Sequence, residues 1–355
     1  MRLWGITGTN GKTTTTWIAA RFMKASYITT VEVDTLKRKF STGYTTPPLK
    51  MLDEIFAEMQ SAGAKDCVME VSSHAIHQRR TGDYKFSGGA FTNLSEDHLD
   101  YHKTMEEYFR VKASFARQIA EESPGAPYVV SMDGGCAREM LEFCRSLPNL
   151  NVIPVSIKDT KYDLSALKLV GDYNKSNVLV AAALAEAAGI EHDIIQKEIP
   201  LLEPRWGRLE RVATRSKGEV YVDFAHTPDG LEKVLSTMRE NCRGRLFVVF
   251  GAGGDRDRMK RPLMGEACEK FADELIVTSD NPRSENPIDI IGDILKGIKT
   301  KTPCVEPDRK KAIHLALESA EEGDVIVICG KGHETTQEIA GVKYPFDDRE
   351  VARNF

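Results

Sequence analysis

Leu3-Trp4-Gly5-Ile6-Thr7 runs into Gly8-Thr9-Asn10-Gly11-Lys12-Thr13-Thr14, an apolar strand that empties into a glycine-rich turn ahead of a helical pattern. Such a turn points several backbone N–H groups into one concavity, at the positive end of the helix that follows. Lys12 adds a full charge, and the Thr13 hydroxyl stands where it can ligate the magnesium that travels with ATP. The general phosphate-loop pattern would place its first glycine at position 6, which is Ile6 here, so the shorter form GTNGKT is the narrower signal. An ordinary Gly/Asn turn is the bland alternative. The loop implies a protein that hydrolyses ATP or transfers from it.

Around this loop, short apolar runs alternate with longer amphipathic ones, the pattern of parallel sheets covered by helices. Strands are expected at 3–7, 66–71, 88–92, 128–131 and 152–156, with helices at 12–24, 49–62, 105–120 and 173–188. The stretch Pro200–Arg208 carries two prolines and a glycine and reads as a linker. Beyond it the alternation restarts, with strands at 219–224, 246–250, 274–278 and 324–329 separated by helices at 229–241, 262–271, 288–298 and 309–319. The expected fold class is therefore α/β: an ATP-binding domain with a mostly parallel sheet over 1–204, then a Rossmann-like doubly wound domain over 205–355. No internal repeat or low-complexity tract interrupts this plan.

At 355 residues, two domains are the natural expectation, and 41% hydrophobic with 28% charged residues is ordinary for a globular protein. A net charge of −5 gives no support for a nucleic-acid partner. No apolar stretch approaches the ~20 residues of a membrane span, and no signal peptide precedes the first strand. The seven cysteines are scattered singly without a CxxC pair, as reduced thiols in a cytoplasm would be. A cytoplasmic location is expected.

In open α/β sheets ligands gather at the carboxyl ends of strands, and polar residues are dense there. Glu70 closes the run Cys67-Val68-Met69, where it can serve as a magnesium ligand or merely cap the next helix. Phe91–His102 (FTNLSEDHLDYH) packs Asn, Asp and His into one strand exit, although His102 reads equally well as structural. In the second half, Asp223–Asp229, Gly251–Asp257, Asp280–Glu285 and Gly330–Glu334 are further polar exits. Arg256 and Arg283 offer fork-shaped donors suited to a carboxylate, with surface ion pairs as the alternative reading.

Taken in order, GTNGKTTT (8–15), MEVSSHA (69–75), FTNLSEDHLDYH (91–102), DFAHTPD (223–229), GAGGDRD (251–257), KRPLM (260–264), DNPRSENP (280–287) and GKGHE (330–334) resemble the Mur ligases. Within that family the likeness is to the branch that adds the third residue of the peptidoglycan stem peptide. The resemblance implies an ATP-dependent amide ligase that activates a peptide carboxylate as an acyl phosphate and joins it to an amino acid. It implies that Gly8, Thr9, Asn10, Gly11, Lys12, Thr13 and Thr14 hold the phosphates, with Lys12, Glu70, His98 and Lys112 as the catalytic set. Thr13 and Glu70 would ligate one magnesium ion, and His98 and a carbamylated Lys112 a second. Asn174, Asn177, Arg208, Asp223 and His226 would meet the nucleotide. For the acceptor peptide it implies Thr45, Thr46, Ser72, Gln78 and Arg80; for the amino acid, Arg256, Asp280, Asn281, Arg283, Gly330 and Glu334. The arginine of DNPR goes in this family with meso-diaminopimelate, whose distal carboxylate it can pair.

The family pattern also includes an N-terminal domain of roughly one hundred residues that binds the uridine diphosphate of the precursor. Met1 lies just ahead of the phosphate loop, so that domain is expected to be lacking. Three readings stay open: a partner protein holds the UDP, the acceptor carries none, as for a folylpolyglutamate-synthase-like ligase, or the sequence is a truncation of a longer chain. From another class, a non-catalytic nucleotide-binding regulator on the same fold is the alternative; intact Lys12, Glu70, His98 and Lys112 speak against it.

Overall fold

The computed structural model describes residues 1–355, and its contacts divide them into two units. Met1–Ser95 with Tyr101–Glu203 form the first, and Glu96–Asp100 with Pro204–Phe355 the second.

The first unit is built on an eight-stranded sheet. Its strands are β1 (Arg2–Thr7), β2 (Ser26–Ile28), β3 (Val33–Asp34), β4 (Lys39–Phe40), β5 (Asp66–Glu70), β6 (Gly88–Phe91), β7 (Pro127–Ser131) and β8 (Asn151–Val155), in the order β4-β3-β2-β5-β1-β6-β7-β8. From β2 to β8 all neighbours run parallel, whereas β3 and β4 pair antiparallel at one edge. The central strand β1 has a neighbour reached by a crossover on either side, so its carboxyl end is the switch point where open α/β sheets bind ligands. The helices are α1 (Lys12–Met23), α2 (Leu49–Ser61), α3 (Ser73–His77), α4 (Leu99–His102), α5 (Met105–Glu122), α6 (Ala137–Ser146), α7 (Asp172–Ala187) and α8 (His192–Glu198), with α4 crossing the division between units. Threonines are poor helix formers, yet α1 opens Lys-Thr-Thr-Thr-Thr; tertiary packing decides here, since Thr13, Thr15 and Thr16 are buried. α1 packs along α7, whose Val178–Ala185 run is apolar all round and wholly buried.

In the second unit β9 (Glu210–Val212), β10 (Glu219–Asp223), β11 (Leu246–Phe250), β12 (Glu274–Val277), β13 (Cys304–Val305) and β14 (Val325–Cys329) form a sheet in the order β13-β12-β11-β14-β10-β9. Only β9 is antiparallel. The hairpin β15 (Thr336–Ile339) and β16 (Val342–Pro345) stands apart from this sheet. α9 (Pro228–Asn241), α10 (Lys260–Phe271), α11 (Pro287–Leu295), α12 (Arg309–Ser319) and α13 (Asp348–Arg353) complete the unit. One core joins Phe247, Val249, Ile326 and Ile328 to Ala312, Ile313 and Leu317 of α12 and Ala352 of α13.

Strands and helices read from periodicity recur within a residue or two at most ends. The elements without a sequence expectation are chiefly short or peripheral: β2 to β4, β9, β13, the β15–β16 hairpin, and α3, α4, α6, α8 and α13. A two- or three-residue strand shows no alternation to detect. The grouping of Glu96–Asp100 with the second unit also has no local signal. It follows from Asp97, a buried carboxylate whose Oδ1 lies 3.6 Å from Lys260 Nζ.

Candidate functional site

At the end of β1 the backbone of Gly8–Gly11 forms the turn expected to hold phosphate, and α1 begins at Lys12. Gly11 caps the helix at φ 83°, and a Cβ there would stand 2.3 Å from Asn177 Oδ1; only glycine fits. The loop is braced from β6's exit. Thr9 N–H donates to Asn93 O at 2.9 Å, Asn10 N–H to Asn93 Oδ1 at 3.0 Å, and Thr92 Oγ1 to Asn10 O at 2.7 Å. Lys12 Nζ donates to Gly8 O at 3.0 Å and Thr9 O at 2.6 Å. Lys112, buried on α5, donates from Nζ to the same Gly8 carbonyl at 2.7 Å. Two ammonium groups thus converge on one turn of backbone, and their charge suits an anion. Thr15 Oγ1 donates to Asn177 Oδ1 at 3.2 Å, and Asn174 Nδ2 to Val170 O at 2.8 Å, which ties the start of α7 to α1.

Glu70, 1% exposed, ends β5. Its carboxylate takes two hydrogen bonds, both from Thr30: the N–H at 2.8 Å and Oγ1 at 3.2 Å. A carboxylate has about four acceptor positions, so lone pairs are left for a cation. The residues expected to meet the acceptor peptide gather beside it. Thr45 Oγ1 lies 3.0 Å from Thr30 Oγ1, and Thr46 Oγ1 donates to Glu70 O at 2.9 Å and accepts Ser72 N–H at 3.0 Å. Arg80 reaches Thr46 O at 3.1 Å and Gln78 Oε1 at 2.9 Å. His102, left open between structure and function, is buried, its Nε2 2.9 Å from Ser73 Oγ and its ring stacked on Tyr108. No set of three or more His, Cys, Asp or Glu side chains able to hold a metal is assembled. Of the four expected metal ligands, Thr13, Glu70 and Lys112 lie in the first unit and His98 in the second.

In the second unit, His98 holds a left-handed backbone at φ 56°, with Nε2 3.5 Å from Asp97 Oδ2. Burial pushes Asp97 up, but Lys260, His98 and His226 outweigh it and hold the carboxyl well below the usual range. His226 Nδ1 lies 2.8 Å from Phe224 O, and burial followed by the nearby Lys260 charge lowers its pKa. Asp223 accepts Leu209 N–H at 2.6 Å and Ala225 N–H at 2.7 Å; burial raises it against the pull of Arg208. The Arg208 guanidinium lies over Phe224, 4.6 Å from the ring centre. This network fixes Arg208, Asp223 and His226 at one strand exit.

The loops after β11, β12 and β14 interlock. Gly254 N–H donates to Asn281 O at 2.9 Å, Ser284 N–H to Asp255 Oδ2 at 3.1 Å, and Arg283 Nη1 to Gly254 O at 2.6 Å. Arg283 sits at φ 51° and is held there by β15: its N–H donates to Glu338 O at 3.1 Å and its carbonyl accepts Ala340 N–H at 2.7 Å. Its Nη2 has no protein hydrogen bond. Arg256 is exposed. Asn281, Lys331 and Glu334 form a closed set: Asn281 Nδ2 to Glu334 Oε2 at 2.8 Å, Lys331 Nζ to the same oxygen at 2.8 Å and to Asn281 Oδ1 at 3.0 Å. Asp280 Oδ2 is buried with no protein hydrogen bond, directly under Gly330, where φ is 116°. Several residues of this site were not singled out from sequence. Asn93, Asp97, Lys260 and Lys331 sit inside quoted motifs; Thr30 and Arg309 sit in none, and no local signal reveals them.

Family profiles match the chain as the Mur ligase middle domain over residues 6–166 and as the Mur ligase glutamate ligase domain over residues 207–332. A UDP-N-acetylmuramoyl-L-alanyl-D-glutamate–2,6-diaminopimelate ligase of Aquifex aeolicus is 42% identical over 373 residues, covering 98% of this chain and 76% of the relative. The ligase of that name from Coxiella burnetii is 39% identical over 388 residues, covering 99% and 78%. A solved structure with the same ligase name superposes at a TM-score of 0.63 with 31% identity, covering 100% of this chain and 78% of that one. A folylpolyglutamate synthase of Mycobacterium tuberculosis superposes at 0.68 over 93% of this chain and 88% of its own, and at 18% identity shares the fold alone.

Proposed function

The chain belongs to the Mur ligase family, and from that membership we propose that it is an ATP-dependent ligase joining 2,6-diaminopimelate to the D-glutamate carboxylate of UDP-N-acetylmuramoyl-L-alanyl-D-glutamate. The observation that carries the amino-acid assignment is Arg283. Its guanidinium is pinned at Nη1 on Gly254 O, which leaves Nη2 for an incoming carboxylate.

In the first step a carboxylate oxygen of the acceptor bonds to the γ-phosphorus of ATP. The bond from that phosphorus to the β–γ bridging oxygen breaks, and ADP leaves with the electron pair. In the second, the amine nitrogen attacks the acyl carbon and gives up a proton, and inorganic phosphate leaves. Such chemistry needs positioning and charge neutralisation above all. The backbone of Gly8–Thr14 and the Lys12 ammonium hold the terminal phosphates. Thr46, Ser72 and Arg80 orient the acceptor, and Asn174, Asn177, Arg208, Asp223 and His226 serve the nucleotide. Thr13 and Glu70 fit magnesium, since Glu70 keeps lone pairs beyond its two bonds from Thr30. Magnesium supplies charge shielding on the phosphates when bound. A carbamate on Lys112 would turn a cation at the Gly8 carbonyl into an anion, a charge that suits a further metal ion.

The test is phosphate release and product mass with ATP, the UDP-linked acceptor and either diaminopimelate or lysine. A product heavier by one diaminopimelate residue, formed with one phosphate released per bond, is expected. ATP turnover that produces no ligated product would refute the reading.

A further inference from the structure

Lys331 belongs to no set of residues assigned above to substrate, nucleotide or metal, yet it is among the most completely buried cations in the chain, at 0% exposure. A buried ammonium persists only where acceptors compensate it. Its two acceptors are Asn281 Oδ1 at 3.0 Å and Glu334 Oε2 at 2.8 Å. Both belong to the loops that the functional reading gives to the amino acid. Asn281 Nδ2 closes the set with a second bond to Glu334 Oε2, so that oxygen is occupied twice. Glu334 Oε1 has no protein hydrogen bond, and the side chain is 33% exposed. Asn281 Oδ1 is held besides by Glu338 N–H at 2.9 Å.

We propose that Lys331 is a positioning and charge-balancing residue that sets amino-acid specificity: it fixes Glu334 by Oε2, presents Oε1 to a substrate ammonium, and cancels the Glu334 charge. This deepens the functional reading above and rests on it. The physical reason for specificity lies in the charge balance. With Glu334 paired to Lys331 and Arg283 Nε 3.7 Å from Glu338 Oε2, these four groups sum to zero, and a head group carrying both ammonium and carboxylate satisfies Oε1 and Arg283 Nη2 without adding net charge. A bare ammonium satisfies Oε1 alone, leaves Arg283 Nη2 without an acceptor and adds one positive charge to the loops. Without Lys331 the loops gain one net negative charge, and a side chain ending in a lone ammonium becomes relatively better bound.

The experiment measures kcat and KM for diaminopimelate, lysine and ATP in the parent, Lys331→Met and Lys331→Gln, with thermal melts of each. Lys331→Met keeps length and removes charge; Lys331→Gln restores a neutral donor for the same two acceptors. In Lys331→Met the KM for diaminopimelate should rise about ten- to a hundredfold, the range of one charge-assisted hydrogen bond. Its kcat at saturation and its KM for ATP should stay within about threefold. The ratio of lysine to diaminopimelate kcat/KM should rise about tenfold in both variants, since both lose the charge. Lys331→Gln should recover part of the KM, because it recovers the geometry. A KM for diaminopimelate unchanged in both variants would overturn the proposal, as would kcat falling at constant KM, or the ATP and amino-acid KM values rising together. Loss of cooperative melting in both variants would overturn it too, by making Lys331 a requirement of the core. A parent that ligates neither amino acid refutes the functional reading and this inference with it; a parent selective for diaminopimelate with indifferent variants refutes the role of Lys331 alone.

Discussion

Replacing Arg309 with methionine should destabilise the second unit by about 5–7 kcal/mol, a figure that follows from what the guanidinium touches. Arg309 on α12 and Asp348 at the start of α13 are both 0% exposed. Nε donates to Asp348 Oδ1 at 2.8 Å and Nη2 to Oδ2 at 2.7 Å, a bidentate pair. Nη2 also donates to Cys329 O at 2.9 Å, and Nη1 to Ser279 O at 3.3 Å. Burial alone would lower the Arg309 pKa; the Asp348 carboxylate outweighs it and holds the group above its ordinary value. Methionine fills most of the space but strands a buried carboxylate, which typically costs about 3–5 kcal/mol, and the two carbonyls that lose their donor add about 1 kcal/mol each. A domain is stable by only about 5–15 kcal/mol, so the variant stands near unfolding at ordinary temperature, with a melting point lower by roughly 10–20 °C. The double variant Arg309→Met/Asp348→Leu removes both charges and should regain at least about half of the loss. Hydrogen exchange of the peptides covering β11 and β14, measured across urea concentrations, reads the second unit separately from the first. A single variant within about 1 kcal/mol of the parent, or a double variant no more stable than the single, would contradict this role for the pair. Ser279 and Cys329 directly precede Asp280 and Gly330, so where the single variant still folds, its KM for the amino acid should rise before its KM for ATP does.

Lys12→Ala should cut phosphate release by at least about a hundredfold with the fold intact, because the ammonium over Gly8 O and Thr9 O is the charge placed for the terminal phosphates; turnover within a few-fold of the parent contradicts the loop assignment. Arg283→Ala should erase about tenfold to a hundredfold of preference for diaminopimelate over lysine, measured as a ratio of kcat/KM; an unchanged ratio counts against the carboxylate role. Gly330→Ala places a Cβ 2.5 Å from Asp280 Oδ2 at a φ of 116°, and the strain of about 1–3 kcal/mol should appear as a raised amino-acid KM with ATP binding unaltered by calorimetry. Burial followed by the charges of Arg208 and Arg349 lowers His333 to about 3, and burial lowers His226 as well. A histidine depressed on folding contributes stability above its unfolded value near 6.5 that is lost as pH falls toward the folded value. His333 should therefore weaken the second unit by about 1 kcal/mol per pH unit below pH 6.5, with His226 acting in the same direction, and His333→Gln should flatten that slope in urea titrations at pH 7.5 and 5.5; an identical slope in the variant refutes the assignment.

The alternation of strands and helices, the glycine-rich turn at Gly8–Thr14 and the polar strand exits were all legible in the sequence. Each of these is written locally. Apolar runs such as Leu246–Phe250 declare a buried strand, and GTNGKT needs only its own backbone to make an anion nest. The place of Glu70 was legible too, because an apolar run that closes on a carboxylate puts that carboxylate at the end of its strand. Only the tertiary structure decided that Lys112 reaches Gly8 O from the middle of α5, that Asn93 braces the loop, and that Glu96–Asp100 groups with the second unit through Asp97 and Lys260. It alone pairs Arg309 with Asp348 beneath two loops, and it alone closes Lys331, Asn281 and Glu334 into one set. Those contacts join residues tens or hundreds of positions apart. Their energies come from burial and charge compensation, which exist only once the sheets have brought the partners out of water.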